Sequence, residues 1–91
     1  MPKDTHLRVE LVHFVPHALD ANTLYISEEY QVAVHLCPCG CGNQVVTPIH
    51  GPIGWNYVNK GGLVTLHPSI GNWQIPCRSH YWIRENTIVW A

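Results

Sequence analysis

Residues 30–49, "YQVAVHLCPCGCGNQVVTPI", carry the pattern from which the fold is read. Val32, Val34 and Leu36 fall on one side of an extended chain, and Ala33, His35 and Cys37 on the other. That period of two belongs to a strand. "QVVTPI" resumes the extended pattern and is stopped by Pro48, which cannot donate to a sheet ladder. Between these segments, Cys37, Cys39 and Cys41 place three of the chain's four cysteines in five positions. Two strands joined by a thiol-rich turn is the unit this stretch specifies.

The flanking segments repeat the strand signal. "HLRVELVHFV" alternates, with Leu7, Val9 and Leu11 on one face, and ends at Pro16. "HALDAN" has room for one helical turn before "TLYIS" becomes extended again. A loop-rich stretch, "PIHGPIGWNYVNKGG", runs from 48 to 62, followed by a strand, "GLVTLHP", and a loop, "SIGNWQIP". "HYWIRENTIVWA" reads as a hairpin with "EN" at its turn, where Asn86 tolerates the left-handed conformation. Trp82 and Trp90 are expected to face each other across it. No segment holds a helical period over ten or more residues and nothing repeats. The expected fold is all-β, a single zinc-binding domain over residues 1–91 with short antiparallel strands and a metal site clipped between two loops.

Composition narrows the function. Ninety-one residues with 46% apolar and 12% charged side chains describe a folded domain with a charge-poor surface. A net charge of −1 and scattered Lys and Arg give no footprint for nucleic acid. The start, "MPKDTHLRVELVHF", lacks the apolar core of a signal peptide, and no run approaches the length of a membrane span. A cytoplasmic protein without membrane insertion is expected. A reducing compartment favours metal-bound over disulfide-bonded cysteines.

The fourth cysteine, Cys77, opens "CRSH", a C-x2-H pair. Zinc takes four Cys or His ligands in a tetrahedron. The candidates are Cys37, Cys39, Cys41, Cys77 and His80, one more than a single Zn2+ per chain requires. Such a cross-link turns metal-binding free energy into folding free energy. The paired loops resemble the Rieske motif, C-x-H then C-x2-H, except that Cys39 stands where Rieske proteins have His. Three thiolates and an imidazole suit one zinc ion better than a two-iron cluster. The expected architecture is therefore Rieske-like or zinc-ribbon-like.

"YISEEYQVAVHLCPCGCGNQVVTP", continued by "LHPSIGNWQIPCRSHYWIRENTIVW", resembles the BubE-like family of small bacterial proteins, across residues 6 to 91. Genes of that family often lie beside ubiquitin-like, E1-like and E2-like conjugation genes. The resemblance implies a peptidase or deconjugase that processes a ubiquitin-like protein or removes it from targets. Two chemistries fit the residues. Zinc could activate water with Glu29 as general base. Alternatively Ser69 or Ser79 is the nucleophile and His80 the base, with a structural metal. Neither HExxH nor GxSxG is present. A zinc-binding adaptor for the ubiquitin-like protein or a conjugation enzyme is the alternative, and an iron–sulfur electron carrier the third reading.

Other residues have simpler explanations. Ser79 is placed to satisfy a metal-bound sulfur, and His35 shares the parity of Cys37. His6, His13, His17, His50 and His67 show no ligand spacing. Trp55 and Trp73, in Gly- and Asn-rich loops, are candidates for lining a groove that receives an extended tail.

Overall fold

The computed structural model describes residues 5–52 and 54–91. Residues 1–4, part of the start read above against a signal peptide, and Ile53, in the loop-rich stretch, lie outside the described residues. Strands make up all the regular structure among the described residues: β1 (Thr5–His6), β2 (Arg8–Leu11), β3 (Thr23–Ser27), β4 (Val32–Leu36), β5 (Gln44–Pro48), β6 (Asn56–Lys60), β7 (Leu63–Gly71), β8 (His80–Arg84) and β9 (Thr87–Trp90). They form a five-stranded sheet, β1-β9-β8-β7-β6, and a four-stranded sheet, β2-β3-β4-β5. Apart from the parallel β2–β3 pair, neighbours are antiparallel. Among the described residues no helix is long and apolar enough to cross a membrane.

One hydrophobic core fills the space between the sheets. Leu24, Ile26, Ala33 and Val45 come from the smaller sheet, and Val64, Leu66, Ile70, Tyr81, Ile83 and Ile88 from the larger. The alternation that identified the strands is what delivers these side chains to one side. Leu7 is buried where the chain leaves β1 in one sheet and enters β2 in the other. Leu11, expected to share its face, is 62% exposed, because β2 is an edge strand and Leu11 its last residue.

Several local expectations need correction. "HALDAN" forms bends and a turn instead of helix. Asn22 takes a φ of 57°, and the amide of Asp20 donates to the Tyr25 hydroxyl at 2.9 Å. This connection helps to bury β3 along its whole length. "NYVNK", inside the stretch read as loop, is strand β6, paired to β7. β7 itself continues through Ser69, Ile70 and Gly71, beyond the expected stop. The register of β7 against β8 shifts between Leu66 and Ile70, and Pro68, with no amide to donate, falls inside that shift.

The final hairpin forms as read, with Glu85 and Asn86 at φ of 48° and 66°. In its register, however, Trp90 faces Tyr81, and Trp82 faces Val89. Asn86 also ties this turn to its neighbour. Its side chain accepts from the Val64 amide at 2.6 Å and donates to the Gly62 carbonyl at 2.9 Å.

Candidate metal centre and Ser–His pair

Cys37 directly follows β4, and Gly40 and Gly42, at φ of 92° and 84°, curl the loop that carries Cys39 and Cys41. Cys77 enters from the β7–β8 connection, so the cluster joins the two sheets at one end. The four sulfurs lie within 4.8 Å of one another. Cys37 is 3.4 Å from Cys39 and 3.6 Å from Cys77, and Cys41 is 3.7 Å from Cys77, with no disulfide among them. A tetrahedral ion with metal–sulfur bonds of about 2.3 Å holds its sulfurs about 3.8 Å apart. The donor set therefore fits one tetrahedral, thiolate-preferring metal ion.

The surrounding hydrogen bonds suit thiolates. The amides of Cys39, Cys41, Asn43 and Ser79 each face the sulfur two residues earlier. Asn43 Nδ2 also donates to Cys41 Sγ at 3.2 Å. The buried Ser79 hydroxyl accepts from Asn72 Nδ2 at 2.8 Å. Its own hydrogen is thereby left for Cys37 Sγ at 3.2 Å, and Cys77 Sγ approaches the same oxygen at 3.5 Å.

These contacts divide the bare thiols. The Ser79 hydroxyl and amide draw Cys77 down to about 6, and the Asn43 amide and side chain lower Cys41. Burial pushes Cys37 up. Cys39 is pushed up to about 12 by desolvation in the cluster and by neighbouring sulfurs, although the residue as a whole is exposed. Four adjacent sulfurs can all ionise only beside a cation, which is how the site and a divalent metal match.

His80, the fifth candidate ligand, is not in this group. Successive residues of a strand point to opposite faces. Ser79 therefore turns inward to the sulfurs, while His80 turns to the outer face of the larger sheet. There its Nε2 lies 2.8 Å from Ser69 Oγ. Gly71 pairs with His80 in register and Ile70 with Tyr81, so Ser69, Gly71, His80 and Trp82 occupy one face across β7 and β8.

Aromatic rings flank the imidazole. The Trp73 and Trp82 centroids are 5.2 Å and 5.8 Å from that of His80. Gly71 makes room for this arrangement, because a Cβ there would lie 2.5 Å from Trp73 Nε1. Arg84 stacks over the far side of the row, 5.1 Å from the Trp82 centroid. Trp55, the other groove candidate, donates from Nε1 to the Ser69 carbonyl at 3.3 Å.

Glu29 lies elsewhere. It is exposed in the β3–β4 turn, with its carboxylate 3.2 Å from His13 Nδ1. His35, near the cluster in sequence, is buried and bonds through Nε2 to the Tyr81 hydroxyl at 2.7 Å. Burial lowers it to about 4, so the ring is neutral near pH 7. Tyr81 also receives Asn72 Nδ2 at 3.3 Å, which links this buried pair to Ser79 and the sulfurs.

Asn72, Gly71 and the stacking of Trp73 and Trp82 on His80 escaped the sequence reading. A signal existed in the matched alternations S-x-G-x-W and H-x-W, which put all five side-chain positions on one face once paired. The loop reading of "SIGNWQIP" hid it.

Two β-sheets brought together at a cluster of four cysteines, with a serine hydroxyl and an imidazole in hydrogen-bond contact on one outer face, define a small all-β protein with a candidate metal centre. The chain belongs to the family described as bacterial ubiquitination-like system serine protease (BubE), which it matches over residues 11–91. Comparison with curated proteins and with solved structures finds no match.

Proposed function

We propose that this chain is a serine peptidase that processes a ubiquitin-like protein or releases it from conjugates, with Ser69 as nucleophile and His80 as general base. The observation that carries the reading is the 2.8 Å contact between Ser69 Oγ and His80 Nε2. Membership of a family described as a serine protease supports it. In this reading His80 takes the Ser69 proton as Oγ attacks the scissile carbonyl, then returns it to the leaving amine. Nε2 must be unprotonated for the first transfer.

Among the described residues, the carboxylate that meets a histidine is Glu29, and its partner is His13. The two indoles are the groups placed to hold the His80 ring, which makes the pair a dyad. The metal's role in this proposal is structural, and its identity zinc, one per chain, held by Cys37, Cys39, Cys41 and Cys77. Four sulfurs complete a tetrahedron and the cluster contains no carboxylate, so water activation with Glu29 as base has little support. A Rieske-type cluster needs two imidazoles, and none joins the sulfurs. Residues from both sheets share one core, in keeping with a single zinc-binding domain over residues 1–91. The proposed partners are the ubiquitin-like protein and its conjugates, with no nucleic acid and no membrane insertion, in the cytoplasm.

Incubation with a C-terminally extended ubiquitin-like partner tests the proposal. Cleavage by the intact chain and none by Ser69→Ala, at unchanged metal content, is the expected result. One observation favours the adaptor alternative: Phe14 and Tyr30 are both exposed, with ring centroids 5.5 Å apart. Partner binding without cleavage, lost in Phe14→Ser with Tyr30→Ser, would select that alternative.

A further inference from the structure

The edge of β5 has a free row of backbone groups beside a groove, and the proposed dyad lies at the far side of that groove. Two hydrogen bonds beyond the β4–β5 ladder set its phase: the Cys37 amide donates to the Asn43 carbonyl, and the Ile49 amide to the Gln31 carbonyl. In an antiparallel pair such bonded positions recur at every second residue. Residues 43, 45, 47 and 49 therefore turn their amides and carbonyls toward β4. Gln44, Val46 and Pro48 turn theirs outward. Pro48 supports this phase, since its carbonyl accepts the Trp55 amide on that side at 2.8 Å. β5 ends its sheet, which among the described residues leaves the backbone of Gln44 and Val46 open.

A groove of about 370 Å³ runs along this edge. Val46, Thr47 and Trp55 line one part, and Gly71, Trp73 and Ile75 another. Trp73 thus borders the groove and stacks on His80. Among the described residues no Asp, Glu, Lys, Arg or His lines it, so its chemistry matches a neutral ligand. Val46 is 57% exposed and Trp73 60%, so both apolar side chains are available to a ligand in the groove.

We propose that β5 binds the substrate as an extended polypeptide segment, which pairs with the backbone of Gln44 and Val46 and passes Trp73 to reach Ser69. This inference rests on the peptidase reading and specifies its substrate as unfolded chain. Unpaired amides and carbonyls at alternate positions recognise a strand, and no other common ligand satisfies both. The available edge is short. Pro48 closes one end, and the other runs into the metal loop at Asn43. About three substrate residues can pair there at 3.4 Å per residue. The side chain between the paired positions faces the apolar wall of Trp73 and Ile75, so an uncharged residue is preferred at that point.

The test uses the full metal-loaded chain and a terminally blocked library of neutral, unstructured octapeptides. In Ser69→Ala, which does not turn over, the library should slow hydrogen exchange at the Gln44 and Val46 amides at least tenfold. A backbone N-methylated library should bind at least tenfold more weakly. In the intact chain, Val46→Pro removes one outward donor and should raise KM about tenfold with little change in kcat. Because that variant could disturb folding, the N-methylated library is the independent measurement. Cleavage or binding with unchanged Gln44 and Val46 amides overturns the inference and leaves the peptidase reading intact. Protection in Ser69→Ala without cleavage by the intact chain supports a strand-binding edge and removes the peptidase reading. No binding of either library overturns the inference.

Discussion

Ser69 Oγ and His80 Nε2 stand 2.8 Å apart on paired strands, and the eleven-residue step between them contains Cys77 of the sulfur cluster. Loss of either partner should abolish peptidase chemistry without unfolding the chain. Ser69→Ala and His80→Gln are expected to lower kcat/KM about a thousandfold or more. Glu29→Gln should stay within about twofold, because the carboxylate is an exposed partner of His13. Steady-state cleavage of the extended partner, with a thermal melt for each variant, checks both statements. Full activity in Ser69→Ala with a large loss in Glu29→Gln would return catalysis to water activation with Glu29 as base.

Metal removal should act through the fold. Cys77 brings the β7–β8 connection against the sulfurs of Cys37 and Cys41, and the Ser79 hydroxyl, adjacent to His80, contacts the sulfurs of Cys37 and Cys77. Chelation or Cys77→Ser is expected to destabilise the domain by several kcal/mol and to lose activity in the same step. Elemental analysis should return about one zinc per chain with no visible absorbance. Activity that disappears while the melting curve stays unchanged would give the metal a chemical role.

Gly71→Ala tests how the imidazole is held. The new methyl would lie 2.5 Å from Trp73 Nε1, so the indole has to move away from His80. Misplacement of a catalytic group by about 1 Å can cost about a hundredfold. A fall in kcat of that order is expected, with a shifted tryptophan emission. Trp73 is exposed, so stability should change by less than about 1 kcal/mol.

Tyr81→Phe probes the buried link behind the cluster. The hydroxyl is the partner of His35 Nε2, and His35 Nδ1 is buried with none among the described residues. Its removal leaves both ring nitrogens unsatisfied, at a cost of about 1–3 kcal/mol. Urea unfolding of the metal-loaded protein measures the loss. An unchanged midpoint would mean that the pair contributes nothing to stability.

Much of this architecture was legible in the sequence, for physical reasons. Alternation at 32–36 and 80–90 reflects a chain with one apolar face, and crowded thiols around Gly40 and Gly42 mark a metal loop. The all-β class and the cysteine cluster followed from those. β6 was hidden because "NYVNK" lies on a sheet edge with mostly exposed side chains, which leaves almost no hydrophobic period. The parallel β2–β3 pairing and the Trp90–Tyr81 register depend on how distant segments meet, which local patterns do not encode. C-x2-H spacing matches zinc sites, which makes His80 a candidate ligand on sequence alone. The strand that begins at His80 turns its imidazole to the opposite face from the sulfurs.

Cys39 and Cys41 stand exposed at the metal clip, while the proposed nucleophile is a serine on another face. Alkylating reagents reach those sulfurs first, and their loss loosens the connection that carries His80. Iodoacetamide should therefore silence the protein as thoroughly as a serine-directed phosphonate. An inhibitor profile alone would file it with the cysteine peptidases. Only the site of covalent labelling, Cys39 and Cys41 against Ser69, tells the two kinds of inactivation apart.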